Sequence, residues 1–222
     1  MSGPELPPVQ GLSAYQRGRI YARDLAHSRP PAVPQPGIAV RFAGVTTAAA
    51  SALAAAMDQS TEHVLDSLRH NRRCFVAWRG DEIAAYCWIS LQHEYVGEME
   101  RLLNILEGEA YVWNCATLPA YRRQGLYTAL LAYILARLAD DGLQRVWIGA
   151  DLENLPSHRA FHTVGFLPAA AFTYLRLWRL YGFLTTSLPA TPPLLLPAAR
   201  RLFRLDTLPA LGPLSAGWRF PT

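Results

Sequence analysis

A β-strand, a proline turn and a long amphipathic helix follow one another over residues 110–141, and this succession constrains the fold more than any other part of the chain. The run AYVWNCAT at Ala110–Thr117 is rich in residues that favour strands, and it stops before Pro119, which cannot donate to a neighbouring strand. Leucine and isoleucine then recur at helical spacing through Gly125–Asp141, and Gly142 ends the pattern. The sequence therefore predicts a strand that leads through a tight turn into an amphipathic helix.

The turn between this strand and this helix carries the residues of an anion site. The first N–H groups of a helix have no partner inside the helix, and the helix dipole places partial positive charge at the same end. Gly125 has no side chain to hold a phosphate away from the backbone, and Arg122 and Arg123 add positive charge. The segment predicts a pyrophosphate cradle. An ordinary helix start with two solvated arginines is the alternative that this segment alone leaves open.

Alternating and helical hydrophobic patterns place the other elements on both sides of this unit. The predicted strands are Gly37–Val45, Cys74–Trp78, Ile83–Ser90, Val146–Ala150 and Phe172–Tyr181. The predicted helices are two across Thr46–His70, a short one through Met99–Leu106, and one at Leu155–Val164 with Asn154 as its N-cap. Strands interleaved with helices predict an α/β or α+β domain.

Composition divides the chain into three parts. Residues 1–36 are rich in proline and polar residues and predict a loosely attached extension with an amphipathic helix around Ala14–Ala26. Residues 37–182 carry the predicted strands and predict one globular domain. Residues 183–222 are rich in proline and leucine and predict a tail that wraps the domain or contacts a partner.

Two short motifs resemble those of a known family. Leu118–Tyr127 reads LPAYRRQGLY and is similar to the acetyl-CoA-binding motif of the GNAT superfamily of N-acetyltransferases, Arg/Gln-x-x-Gly-x-Gly/Ala. Asn154–Phe166 reads NLPSHRAFHTVGF and resembles the second motif of that superfamily, Asn-x-x-Ser/Ala-x-x-x-Tyr/Phe-x-x-x-Gly-Phe. The two stand in the family's order, separated by a helix and a strand, so the pair is more specific than either motif. The resemblance covers about Gly37–Tyr181.

The resemblance implies a mixed, mostly antiparallel central sheet that splays between its fourth and fifth strands, is flanked by helices, and holds coenzyme A in the gap. The backbone of the fourth strand would pair with the pantetheine arm, the N–H groups of Arg123–Thr128 would hold the pyrophosphate, and Asn154 and Phe161 would lie at the thioester end. The implied coenzyme A site consists of Cys115, Ala116, Thr117, Arg122, Arg123, Gln124, Gly125, Leu126, Tyr127, Thr128, Asn154 and Phe161.

Two residues depart from the family pattern. Tyr127 stands where the loop motif has a second small residue, and we expect its side chain to point away from the phosphates. Phe161 stands where the family often has a tyrosine that is proposed to protonate the leaving thiolate, and phenylalanine has no proton to give. Either the thiolate leaves unassisted or another group donates; the candidates are Tyr111, Tyr121, Tyr127, Ser157 and Tyr174.

The implied reaction is the direct attack of a neutral amine on the thioester of acetyl-CoA, the acyl-donor co-substrate, and it needs a base. Glu109 is the nearest carboxylate on the fourth strand, where alternation places it on one face with Tyr111, Trp113 and Cys115. Asp151 directly follows the fifth strand. Both are candidate bases, and a solvated or capping acid is the alternative for each. Acidic residues across 94–109 predict a rim that attracts a cationic amine, or else a solvated helix face.

Two other functions remain open: a non-catalytic module of this fold that binds acyl-CoA, and an acyltransferase for longer acyl chains with the C-terminal tail over an apolar channel. The net charge of +4 comes from dispersed arginines, so no nucleic-acid partner is expected. Cys74, Cys87 and Cys115 lack metal-ligand spacing and predict free thiols, hence a cytoplasmic enzyme without a metal. No run is apolar enough for a transmembrane segment. The resemblance leaves a homodimer open.

Overall fold

The computed structural model describes residues 12–27, 31–177, 180–205 and 215–219. In chain order its strands and helices are β1 (Leu12–Asp24), β2 (Arg41–Gly44), α1 (Ala50–Met57), α2 (Thr61–Arg69), β3 (Arg72–Arg79), β4 (Glu82–Ser90), β5 (His93–Val96), β6 (Arg101–Asn104), β7 (Glu109–Thr117), α3 (Leu126–Asp140), β8 (Arg145–Asp151), α4 (Leu155–Thr163), β9 (Leu167–Leu177), β10 (Leu180–Thr186), α5 (Leu195–Leu202) and β11 (Ser215–Arg219). Nine strands form one sheet in the order β11-β10-β9-β1-β8-β7-β4-β3-β2, and β5 pairs separately with β6.

Helices cover both faces of this sheet because side chains alternate along its strands. On β3, Phe75 and Ala77 pack toward α3, whereas Cys74 and Val76 pack toward α1 and α2. The predicted helices in these regions are confirmed, and none of the described helices has the length and apolarity needed to cross a bilayer.

β7 and β8 pair in parallel only over their first halves. The register runs from Glu109 opposite Arg145 to Val112 opposite Ile148. Beyond that point β7 continues beside β4 and β8 continues beside β1, so the two strands diverge. Asn114 adopts a left-handed backbone, with φ of 40°, at a bulge in the β4–β7 register. The sheet therefore splays between these strands, which confirms the predicted fold class.

The bulge changes which side chains share a face of β7. Tyr111 and Trp113 pack on the side of the sheet that α5 covers, whereas Cys115 packs on the side that α3 covers. The prediction that Glu109, Tyr111, Trp113 and Cys115 share one face is therefore wrong for Cys115. An extra residue in a strand inverts the alternation beyond it, and nothing in the local sequence marks the position of this bulge.

The N-terminal strand β1 lies inside the sheet, between β8 and β9, and pairs antiparallel with both. Ile20 and Tyr21 on this strand are fully buried. A Cβ at Gly18 would lie 2.4 Å from the ring of Phe172 on β9, so the close approach of the two strands requires glycine there. The helix predicted around Ala14–Ala26 is wrong, because pairing with strands more than a hundred residues away decides the conformation.

A hairpin replaces the helix predicted through Met99–Leu106. β5 and β6 pair antiparallel, and Glu100 turns the chain between them with φ of 46°. Leu103 and Ile105 are buried two residues apart, which is the spacing of an extended chain rather than of a helix. The helix prediction is wrong here, and this hairpin instead forms one wall above the splayed strands.

The residues after β9 also pack onto the sheet. β10 pairs with β9, and α5 packs against β9 and β6. Leu202 and Phe203 are fully buried in a cluster with Phe172 and Phe183. β1 lies before the boundary predicted at 36/37, β10 spans the one predicted at 182/183, and both strands belong to the same sheet as β7 and β8.

Candidate active site

A cavity of about 800 Å³ opens where β7 and β8 diverge. Its lining comes from eight parts of the chain: β1, the β5–β6 hairpin, β7, the first turn of α3, β8, the start of α4, β9, and Phe203 after α5. Clefts at the point where neighbouring strands separate are common ligand sites, because the strand edges there are free to bind. The cavity therefore marks the candidate site.

A row of unpaired backbone donors leads into this cavity. Among the described residues, no acceptor pairs with the N–H groups of Arg123 through Thr128, and the first bond of α3 runs from Ala129 N to Gly125 O at 3.0 Å. Arg123 and Gly125 have left-handed backbones, with φ of 61° and 74°. Such a nest of N–H groups at a helix N-terminus is suited to an anion. A Cβ at Gly125 would meet only Pro36, at 3.9 Å, so no side chain fills the space above the glycine.

The segment before β2 supports this loop, which the sequence analysis did not foresee. Gly37 N donates to Gln124 O at 2.8 Å, which ties the segment before β2 to the loop. Arg122 Nε donates to Thr117 O at 3.1 Å, which ties the loop to the end of β7. The partner of Gln124 lies 87 residues earlier in the chain, so no local signal could have indicated it.

Side chains from β7, α3 and α4 meet at the inner end of the loop. Cys115, Tyr127, Asn154 and Ser157 all line the cavity. Asn154 Oδ1 accepts from Ser157 N at 3.2 Å, which confirms the predicted N-cap of α4. The Tyr127 hydroxyl lies beside the side chains of Ser157 and Cys115, and burial raises the pKa of Tyr127 well above its usual value.

Phe161 lies beneath the cavity rather than on its surface. Its exposed fraction is 0%, and it is not among the residues that line the cavity. Its ring packs against Tyr21, Phe166 and Tyr127, with ring centroids 5.3, 6.0 and 6.4 Å away. The structure thus places Tyr127 between Phe161 and the space where the resemblance expects the thioester.

The two candidate bases occupy opposite ends of the splayed pair. Asp151 lines the cavity, and its Oδ1 accepts from Gln16 Nε2 on β1 at 2.8 Å. Glu109 lies at the closed end, where its carboxylate accepts from Arg201 at 2.7 Å, from Trp147 at 3.1 Å and from Arg145 at 3.4 Å. Glu109 is buried and does not line the cavity. The structure therefore brings Asp151 to the site and leaves Glu109 in an ion-pair cluster.

A further carboxylate, Glu94 on β5, faces the cavity and was not singled out as an individual candidate. It is 3% exposed, and Arg72 binds both of its oxygens, at 2.8 and 3.0 Å. Ser90 also donates to it, and the Ser90 oxygen accepts from Trp113 Nε1 at 2.9 Å. The partners come from three other strands, so the network could not be read from spacing. The network holds the Glu94 carboxylate, paired with Arg72, on the side of the cavity opposite α3 and α4.

His158 is buried and connects α4 to the sheet. Its Nε2 donates to the backbone carbonyl of Asp151 at 3.0 Å, and its Nδ1 accepts from the Tyr21 hydroxyl at 3.0 Å. A carbonyl can only accept, which assigns the proton to Nε2 in a neutral ring. Burial lowers the pKa of His158. The ring therefore links α4 to β8 and β1 at the open end of the cleft.

The fold, the splayed strands and the loop together define a GNAT-type acyltransferase scaffold. A sequence model described as the Acetyltransferase (GNAT) family matches residues 47–166, more than half of the chain. The chain therefore belongs to the GNAT family, which confirms the resemblance drawn from its two motifs.

Solved structures agree on the fold. A GNAT-family protein from Novosphingobium aromaticivorans superposes with a TM-score of 0.54 at 16% identity, over 78% of this chain and 69% of that one. A GCN5-related N-acetyltransferase from Sphaerobacter thermophilus gives a TM-score of 0.52 at 14% identity, over 71% of this chain and 50% of that one. At such identities the likeness concerns the fold alone. No curated protein sequence matches the chain significantly.

Proposed function

We propose that the protein is an N-acetyltransferase that moves an acetyl group from acetyl-CoA to an amine of a small molecule or peptide by direct attack. One observation carries the proposal: the row of unpaired N–H groups at Arg123–Thr128 adjoins the cavity between β7 and β8 at Tyr127. Tyr127 belongs to both the row of donors and the cavity lining. A diphosphate on the row and a thioester in the cavity would thus belong to one extended ligand.

The chain's residues divide the binding of acetyl-CoA between the loop and the strand. The amides of Arg123–Thr128 hold the diphosphate, while Arg122 and Arg123 add exposed positive charge. Among the described residues, no strand pairs with the edge of β7 that faces β8 beyond Val112. The backbone of Cys115 and Ala116 would pair there with an amide-bearing arm, next to Thr117, whose carbonyl accepts from Arg122 Nε. Asn154 and Ser157 border the inner end of that arm. When bound, acetyl-CoA supplies an activated carbonyl and a thiol leaving group.

Asp151 is the residue that we assign as base, directly or through one water. It lines the cavity at the end of β8, and the Gln16 amide orients it. Glu109 is not assigned, because two arginines and a tryptophan already use its oxygens outside the cavity. The base removes a proton from the ammonium form of the acceptor, so that the amine nitrogen can form the new bond to carbon.

The cavity favours a cationic acceptor. Glu98 and Asp151 line it, Glu94 lines it as the ion-pair partner of Arg72, and no arginine or histidine among the described residues lines it. Carboxylates around a cleft raise the local concentration of cations and speed their association. An aliphatic amine is mostly protonated at neutral pH, so these carboxylates attract it.

The test is acetyl transfer by the purified protein to a panel of primary amines, read by mass spectrometry and by thiol release. We expect cationic amines to react faster than neutral ones of the same size, with a difference that shrinks as salt rises, because ions screen exposed charges. Binding of coenzyme A with no product from any amine would contradict the proposal and favour a non-catalytic acyl-CoA-binding module.

Transfer of a longer acyl group is the second candidate function, because part of the cavity is apolar. Ile20, Met99, Phe172 and Phe203 line it, and the last of these comes from the segment after α5. Apolar side chains of this kind would accept several methylene groups, each contributing about 0.8 kcal/mol when buried. Calorimetry with acetyl-, butyryl- and octanoyl-CoA separates the candidates: affinity that rises with chain length favours the longer acyl group.

The three cysteines are all unpaired thiols. Burial raises the pKa of Cys74 and of Cys87, so both remain protonated and unreactive. Free thiols are typical of a reducing compartment, which supports a cytoplasmic location for the proposed enzyme.

A further inference from the structure

Phe161 is buried and carries no polar atom, so a hydrogen bond to the departing sulfur would have to come from another side chain. Of the other hydroxyls considered, Tyr121 donates to Glu82 at 2.5 Å and does not line the cavity, and Tyr174 does not line it either. Tyr111 lines it but packs on the side that α5 covers. Tyr127 and Ser157 are the two that remain on the α3–α4 side.

Tyr127 is held at the meeting point of the two walls of the cleft. It stands in the first turn of α3, and its ring lies edge-on to Phe161. Its hydroxyl lies beside Ser157 on α4 and beside Cys115 on the free half of β7. These neighbours belong to the two segments that would flank the pantetheine arm. Tyr127 therefore lines the cavity between the two segments that would flank the arm.

We propose that Tyr127 is the catalytic residue that donates a hydrogen bond from its hydroxyl to the coenzyme A sulfur as the carbon–sulfur bond breaks. This inference rests on the proposed acyl transfer. The amine nitrogen forms a bond to the carbonyl carbon, the electron pair of the carbon–sulfur bond goes to sulfur, and the Tyr127 O–H stabilises the resulting thiolate. The thiolate takes its proton from solvent on release, and the proton from the amine leaves through the base. The products are an amide and a free thiol.

The surroundings keep this phenol a donor across the working pH. Burial is the first cause that raises the pKa of Tyr127 well above its usual value, and the titratable groups near it are the thiols of Cys115 on β7 and Cys87 on β4. Because the phenol stays neutral, its O–H can donate a hydrogen bond in every catalytic cycle. A hydrogen bond to a charged thiolate is stronger than one to a neutral sulfur.

The test compares the binding of coenzyme A and desulfo-coenzyme A by calorimetry at pH 7 and at about pH 9.5, where a free thiol with a pKa near 8.5 is mostly ionised. All proteins carry Cys115→Ser, so that no protein thiol on the cavity titrates. In the parent protein, which carries Cys115→Ser alone, the ratio of the affinity for coenzyme A to that for desulfo-coenzyme A should rise on the order of tenfold from pH 7 to about pH 9.5. Tyr127→Phe should abolish this rise and leave the affinity for desulfo-coenzyme A within about twofold.

Two matched variants make the outcome specific. Tyr133→Phe removes a hydroxyl from the same helix, where the ring stacks on Phe42 outside the cavity, and should keep the rise. Ser157→Ala should also keep most of it. An unchanged rise in Tyr127→Phe, or its loss in Ser157→Ala alone, would overturn the assignment of Tyr127. A parent that binds neither ligand would overturn the proposed function and the assignment with it.

Discussion

The neutral ring of His158, at the open end of the cleft, makes the free energy of unfolding depend on pH in acid. An unfolded histidine has a pKa of about 6.5, and burial lowers the pKa of His158 in the folded protein. The unfolded chain therefore binds more protons than the folded chain once the pH falls below about 6.5. We predict that this residue lowers the free energy of unfolding progressively below that pH and contributes no pH dependence above it.

Urea unfolding from pH 7.5 to pH 5 measures the effect. His158→Gln removes the titrating group, so its free energy of unfolding should fall less steeply with acid than that of the wild type. His162→Gln is the matched control, because His162 is an exposed histidine on the same helix and should leave the slope unchanged. Equal slopes for wild type and His158→Gln would contradict the prediction.

Local sequence patterns predicted the positions of some residues of the site but not of others. The glycine before α3 and the N-cap of α4 follow from a helix-start pattern, and the structure has Gly125 and Asn154 in those two places. The burial of His158 depends on Tyr21, 137 residues away, and the inward position of Tyr127 depends on α4. Side-chain partners of that kind cannot be read from spacing.

Among the elements, α5 is attached to the sheet through Glu109. Arg201 on α5 and Arg145 on β8 donate to the same carboxylate oxygen, and Trp147 donates to the other. We predict that Glu109→Gln lowers the free energy of unfolding by about 2 kcal/mol, because it leaves two partly buried guanidinium groups without their counter-charge. Hydrogen exchange should also speed up in α5.

The same variant separates a structural role from a catalytic one. Because Glu109 lies outside the cavity, Glu109→Gln should leave the affinity for coenzyme A and the turnover with a reactive amine within about threefold of wild type at a temperature where the protein is folded. Glu107→Gln, at an exposed site on the loop before β7, controls for the loss of one charge. Full stability with lost turnover would instead make Glu109 the base.

The elements show where sequence patterns fail. Strand β7, helix α3 and helix α4 were predicted nearly to the residue, because amphipathic spacing, proline and glycine agree there. β1 and β6 lie in segments that were predicted as helices, at Ala14–Ala26 and Met99–Leu106. Their backbone groups pair with partners distant in the chain or across a tight turn at Glu100, and that pairing outweighs local propensity.

At the scale of the whole molecule, both ends of the chain help to build the cleft. β1 fills the sheet between β8 and β9 and supplies Gln16 and Ile20 to the cavity, and Phe203 closes it from the other side. The two motifs and their order were enough to predict the splayed sheet. For residues 183–222 the sequence predicted a tail that wraps the domain or contacts a partner. The place of β1 inside the sheet could not be predicted, because residues 12–24 lie outside the family match.

The central claim is that main-chain amides at the start of α3 bind the diphosphate of an acyl carrier. The measurement is the dissociation constant of coenzyme A, by calorimetry, for wild type, Gly125→Glu and Gly125→Gln. Both variants carry the same backbone strain at φ of 74°, so their difference isolates the charge. The account predicts binding at least about 100-fold weaker for Gly125→Glu, and at least about tenfold weaker than for Gly125→Gln, because a carboxylate would face the phosphates. A folded Gly125→Glu protein that binds coenzyme A as tightly as wild type would contradict it.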